Sequence, residues 1–183
     1  MLKKISIILF LALVVALAAC GTKAPAGETG GEGGVEAALV TYSDAAQGFS
    51  IGHPGPWTQD TTFTNGVKFV GGDDWMTLTF VTPPAGTDVM TYAQNDVAAI
   101  SSSFPGFAQL SLATSTEVNN AVVLGFTANG TSTVTGKTFT AHNERYYIGL
   151  SDGRIAVLTV VGPDNHYDRE GVRDIALTFK INQ

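Results

Sequence analysis

Apolar and polar residues alternate over Trp75 to Thr82, "WMTLTFVT", with Met76, Leu78 and Phe80 set against Thr77 and Thr79. A period of two is the pattern of a strand buried on one face. A shorter strand, Val67 to Val70, precedes it. After Pro83-Pro84 the period changes. Val89, Ala93, Val97, Ile100 and Phe104 are spaced four, four, three and four residues apart, which predicts a helix over 88–104 that Pro105-Gly106 ends. Asn119-Asn120 is expected to form a two-residue turn, since asparagine tolerates the left-handed conformation. Alternation then resumes with Val122, Leu124 and Phe126 on one face. A turn near Gly136-Lys137 leads into a strand over 138–150, with Tyr146, Ile148 and Leu150 on one face. In the next strand, Arg154 to Val161, both alternating sets are largely apolar. That predicts a central place in the sheet with a helix on one side. Asp164 or Asn165 is expected to cap a closing helix over 165–176 that carries Tyr167, Val172 and Ile175. A short segment, Thr178 to Ile181, ends the pattern. Together these elements predict one α+β domain over 39–183, an antiparallel sheet flanked by two helices.

The first 38 residues follow a different rule. Lys3 and Lys4 precede an unbroken apolar run from Ile7 to Ala19. As a helix the run would span ~20 Å, short of the ~30 Å hydrocarbon core, so residues 1–19 read as an export signal. It stops at Cys20, the single cysteine of the chain. Leu17-Ala18-Ala19-Cys20-Gly21 resembles the bacterial lipobox, which implies cleavage before Cys20 and acylation of its thiol and new amino group. One acyl chain binds marginally, so stable anchoring takes two or more. Residues 21–38 hold six glycines, three glutamates and no aromatic side chain, the composition of a disordered tether. Its r.m.s. reach is roughly 23 Å.

Charge narrows the partners. The 183 residues carry a formal charge of −6, and removing residues 1–19 takes away Lys3 and Lys4 and no acid, giving −8. No basic stripe is present for nucleic acid, and an acidic surface gains nothing from anionic lipid headgroups. Membrane attachment is therefore expected through the acyl chains alone, with an envelope protein or small ligand as partner. With Cys20 acylated, no thiol is left for a disulfide or a thiolate metal site.

Two stretches suggest chemistry. Gly149-Leu150-Ser151-Asp152-Gly153 fits the G-x-S-x-G nucleophile elbow, and Asp164 and His166 follow in the order Ser…Asp…His. An elbow needs a helix after the serine, whereas Asp-Gly here leads directly into the strand "RIAVLTVV". A turn is expected, with a Ser151 envelope hydrolase as the alternative. "PDNHYDRE" spaces Asp164, His166 and Asp168 like the start of a calcium loop. However, Arg169 stands where the loop needs glycine and Ile175 where it needs glutamate. Helix capping explains these acids, and neither a metal nor a cofactor is expected. The remaining candidates are partner contacts on two polar-aromatic loops: Asp73, Asp74 and Trp75 within Gly71 to Trp75, and His166 and Tyr167 within Pro163 to Asp168.

The stretch "GFSIGHPGPW", Gly48 to Trp57, resembles the opening of the PsbP-like family, named for an extrinsic protein of photosystem II. Phe49, Ser50, Ile51, Pro54 and Trp57 match, while His53 stands where tyrosine is usual and Gly55-Pro56 is an atypical approach to Trp57. "RYYIGLSDGRIAVLTVVGP" and the later "ALTFKI" are similar to the family's closing strands and terminus. The resemblance spans most of residues 42–181 and implies an α/β/α sandwich around an antiparallel sheet. A non-catalytic binding or assembly role is expected, with a PsbP-type accessory to a membrane complex as a further alternative. The resemblance supplies no catalytic residue.

Overall fold

The computed structural model describes residues 37–182. The export signal, Cys20 and the tether as far as residue 36 lie outside the described residues. Among the described residues, no helix is long and apolar enough to cross a membrane.

Two sheets are formed. Strands β1 (Leu39–Asp44), β2 (Phe49–Pro54) and β10 (Lys180–Ile181) make a small sheet in the order β1-β2-β10. The large sheet takes in β3 (Thr58–Gln59), β4 (Val67–Gly71), β5 (Asp74–Val81), β6 (Ala108–Thr114), β7 (Ala121–Thr131), β8 (Thr138–Gly149) and β9 (Ile155–Pro163). Its order is β3-β4-β5-β9-β8-β7-β6, and every neighbouring pair is antiparallel. β9 is the middle strand of seven and is buried along its whole length, as its two apolar faces require.

Its two faces serve separate cores. Ala156, Leu158 and Val160 pack with Met76 and Leu78 of β5, Phe49 and Ile51 of β2, and Val172 and Ile175 of the second helix. Ile155 and Val157 pack with Leu124 and Phe126 of β7, Tyr147 of β8, and Ala93 and Ile100 of the first helix. Phe49, Ile51 and Trp57 of the N-terminal motif are thus core residues, almost wholly buried.

Helix α1 (Val89–Ser103) begins where Asp88 caps it: Oδ1 accepts from Thr91 N at 2.8 Å and Oδ2 from Thr91 Oγ1 at 2.9 Å. Helix α2 (Arg169–Leu177) starts later than its sequence pattern suggests. Asp164 and Asn165 do not cap it; they belong to a 3-10 turn, Asp164–His166, and Asp168 is the cap, its Oδ1 accepting from Glu170 N at 3.0 Å. Tyr167 is extended between the two, with its ring stacked on His142 at 4.1 Å, so the helix cannot start before it. The β6–β7 connection is likewise longer than two residues. Ser115 Oγ accepts from Glu117 N and Val118 N, which folds a longer loop over the buried Val118 and leaves Asn120 left-handed at φ 53°.

Candidate functional site

The pairing of β5 with β9 determines where the two polar-aromatic loops meet. Trp75 is opposite Val161 in that ladder, so the start of β5 and the end of β9 share one edge of the molecule. The β4–β5 hairpin has a two-residue loop, Gly72-Asp73, in which Gly72 supplies a positive φ of 69°. Beyond Pro163 the chain leaves the sheet as the 3-10 turn that carries His166. Trp57, just before β3, lies across Gly71, where any Cβ would run into its indole ring. The tip of the β7–β8 hairpin closes the fourth side, with Val134 three-quarters exposed.

These segments enclose a cleft of about 490 Å³ lined by Trp57, Asp73, Asp74, Val134, Pro163 and His166, among others. Asp73, Asp74 and His166 are brought together; the other two sequence candidates are not part of the lining. Trp75 alternates to the opposite face of β5 and lines a separate hollow of about 250 Å³ with Phe104 and Phe139. Tyr167 packs inward on His142, and its hydroxyl is 3.5 Å from the Val160 carbonyl.

The two aspartates have different surroundings. Asp73 Oδ1 accepts from Thr133 N at 2.9 Å and Thr133 Oγ1 at 3.2 Å, which pins the β7–β8 hairpin tip. Hydrogen bonding with Ser132 above all, and then with Thr133, holds the carboxyl below its ordinary range. Asp74 is only 8% exposed, and its carboxylate stands beside the His166 ring. His166 Nε2 is 3.7 Å from Asp74 Oδ2, close enough for an ion pair when protonated and too long for a hydrogen bond. Burial pushes the Asp74 carboxyl up to about 6; His166 pulls it down less strongly, and Asp73 pushes it up further.

A second polar cluster, missed from sequence, lies under α2 on β8. His142 is buried with Nδ1 3.2 Å from Asp164 Oδ1, and burial lowers its pKa. Glu144, two residues on and on the same face, has Oε1 3.2 Å from Arg169 Nε, and burial raises its pKa. His142 Nε2 and Glu144 Oε2 are buried without a hydrogen-bond partner. The available signal was two ionisable residues at i and i+2 on the apolar face that continues through Tyr146 and Ile148.

The G-x-S-x-G segment is a hairpin turn. Leu150 N bonds Arg154 O at 2.9 Å, Gly153 has a φ of 85°, and β9 follows with no helix. Ser151 and the Asp164–His166 turn stand at opposite ends of β9, roughly 27 Å apart along the strand, so these three residues form no triad. Asp164 faces His142 and Asp168 caps α2, which accounts for two acids of the calcium-like stretch.

No family model matches the sequence, and no curated protein matches it. The fold does have solved neighbours. The Saccharomyces cerevisiae Ran-binding protein Mog1p superposes with a TM-score of 0.58 at 10% identity, over 79% of this chain and 96% of that one. A protein of Bacteroides thetaiotaomicron VPI-5482 superposes with a TM-score of 0.52 at 7% identity, over 78% of this chain. The match spans only 48% of that larger protein. The chain therefore shares the α+β fold of Mog1p, with a large antiparallel sheet.

Proposed function

We propose that the protein is a lipid-anchored, extracytoplasmic lipoprotein whose PsbP-like α/β/α sandwich is a non-catalytic binding or assembly module of the cell envelope. The observation that carries this is the convergence of the 71–75 and 163–168 loops on one cleft around Asp74. Loops on a rigid sheet commonly carry recognition. The separate cores on the two faces of β9 support the layered arrangement. Residues 17–21 support the anchor, with Cys20 as its attachment point. Mog1p, described as a Ran-binding protein, supports a protein-binding use of this fold.

Two experiments test the proposal. Detergent-phase partitioning should be lost in Cys20→Ser, and partitioning that persists in that variant removes the lipid anchor. Crosslinking from intact cells should capture a partner whose yield drops in Asp73→Ala/Asp74→Ala or His166→Ala. A partner captured equally by both variants rules the cleft out as the contact.

A further inference from the structure

Helix α1 packs chiefly on β7, β8 and β6 and stops at Ser103. Past its end the sheet carries a row in which Trp75 of β5, Val161 of β9 and Asn143 of β8 stand side by side. In the next row Ala141 is opposite Ala128, and beyond that Phe139 is opposite Gly130. The small side chains leave a hollow of about 250 Å³ with Ala128, Ala141 and Val161 as its apolar floor. Trp75, Phe104 and Phe139 also line it, three aromatic side chains from three different elements. Two of them are fixed by what they touch. Phe104 meets Phe126 edge-on with ring centroids 5.8 Å apart. A Cβ at Gly130 would meet the Phe139 ring at 2.7 Å, so glycine is what lets that ring lie against β7.

Polar groups restrict the ligand further. Asn143 lines the hollow, is 3% exposed, and donates from Nδ2 to the Ala141 carbonyl at 3.2 Å. A primary amide has a second donor hydrogen and an acceptor oxygen as well, enough to hold one hydrogen-bonding group of a guest. Of the residues around the hollow, Lys68 and Asp73 are charged, and each has a partner. Lys68 Nζ is 3.1 Å from Asp60 Oδ2, and Asp73 accepts from Thr133. A charged guest would compete with these pairs, and a neutral one would not. Size sets the upper bound. A dry cavity of ~150 Å³ accepts benzene, so this hollow holds one substituted ring or two fused ones. Aromatic walls favour an aromatic guest, since each ring pair adds roughly two- to twelvefold in binding beyond simple burial.

We propose that the hollow is a binding site for a neutral, planar aromatic small molecule of one or two rings that carries a hydrogen-bonding group. Its ring lies among Trp75, Phe104 and Phe139, and its polar group is on the Asn143 amide. The site is distinct from the cleft around Asp74. Gly72 and Asp73 border both, but Trp75 and Asp74 are neighbours on a strand and face opposite ways. The proposal stands whether or not the cleft contacts a partner.

The test uses the full chain in detergent at pH 7, dialysed against each of four probes so that free concentrations are equal. The probes are para-cresol, methylcyclohexanol, para-toluate and para-xylene, and binding is followed by amide chemical shifts of residues 128–131 and 139–143. Para-cresol should bind roughly fivefold more tightly than its saturated counterpart methylcyclohexanol, and more tightly than the anionic para-toluate or the hydrocarbon para-xylene. These comparisons need no variant. Ala141→Leu adds apolar volume to an existing hollow, is expected to fold, and should abolish binding. Trp75→Leu keeps apolar surface but removes a ring, and should narrow the margin over methylcyclohexanol. Asn143→Ala should erase the advantage of para-cresol over para-xylene. Equal binding of para-cresol and methylcyclohexanol, a preference for para-toluate, or binding unchanged in Ala141→Leu each overturns the inference.

Discussion

Asp73 and Asp74 are the same residue type at consecutive positions, and the strand start between them assigns them opposite chemistry. Asp73 is half-buried and hydrogen-bonded to Ser132 and Thr133, so its charged form is favoured. Asp74 points under the sheet edge, where burial disfavours the charge. A carboxyl raised from 3.8 to about 6 contributes stability that is fully present below pH 3.8 and is lost as pH rises through 6. Asp74→Asn should therefore stabilise the fold at pH 7 by about 1–3 kcal/mol and give no gain near pH 4. Denaturant unfolding at the two pH values checks this, and equal stability of the two proteins at pH 7 would sink it. His142 has the opposite sign: burial depresses its pKa, so its contribution is present above the unfolded value and is lost on acidification. The difference between wild type and Asp74→Asn cancels that background. For Asp73→Ala, global stability should stay within about 0.5 kcal/mol, as for most surface changes. Hydrogen exchange at the Thr133 amide should accelerate. Sequence alone located both aspartates and His166 on loops, but it could not say that the loops adjoin. That depends on the ladder between residues 75 and 161, and no local pattern encodes such a pairing.

Elements with a strong period are legible in the sequence. The α1 stripe, the alternation of β5 and the two apolar faces of β9 each report a burial environment, and the helix, strand and central position followed. The elements that escaped are those whose residues carry little period. β6, "AQLSLAT", is almost wholly exposed at the sheet edge, and β10 is two residues long. β1 has only partly buried positions, so the small sheet emerges only when β2 is seen pairing on both sides. The α2 boundary failed for a different reason. Asp164, Asn165 and Asp168 are all competent caps, and the choice was made by Tyr167 stacking on His142. Asp168→Ala should consequently cost about 1 kcal/mol, the usual penalty for losing an N-cap. Asn165→Ala should cost less than half of that. Thermal unfolding of the two variants distinguishes them, and the reverse order would return the cap to the earlier residues.

Across the whole molecule, mutational sensitivity should follow distance from β9. Leu158 is fully buried at the centre, and Leu158→Ala should cost about 2–5 kcal/mol. Leu110, half exposed on the edge strand β6, should tolerate alanine within about 0.5 kcal/mol. Chemical denaturation compares them directly. The place of β9 also has a temporal consequence. Three strands, β3 to β5, lie on one side of it and three, β6 to β8, on the other, yet all six precede it in the chain. During synthesis the two half-sheets emerge first, each with an open inner edge, and nothing joins them until the last fifth of the polypeptide arrives. Pairing residue 75 with residue 161 closes a long loop late, which slows folding and leaves unpaired edges open to aggregation in the meantime. A ribosome stalled after Gly149 should present two protease-sensitive fragments of a fold, and release beyond Pro163 should convert them into one resistant body in a single step.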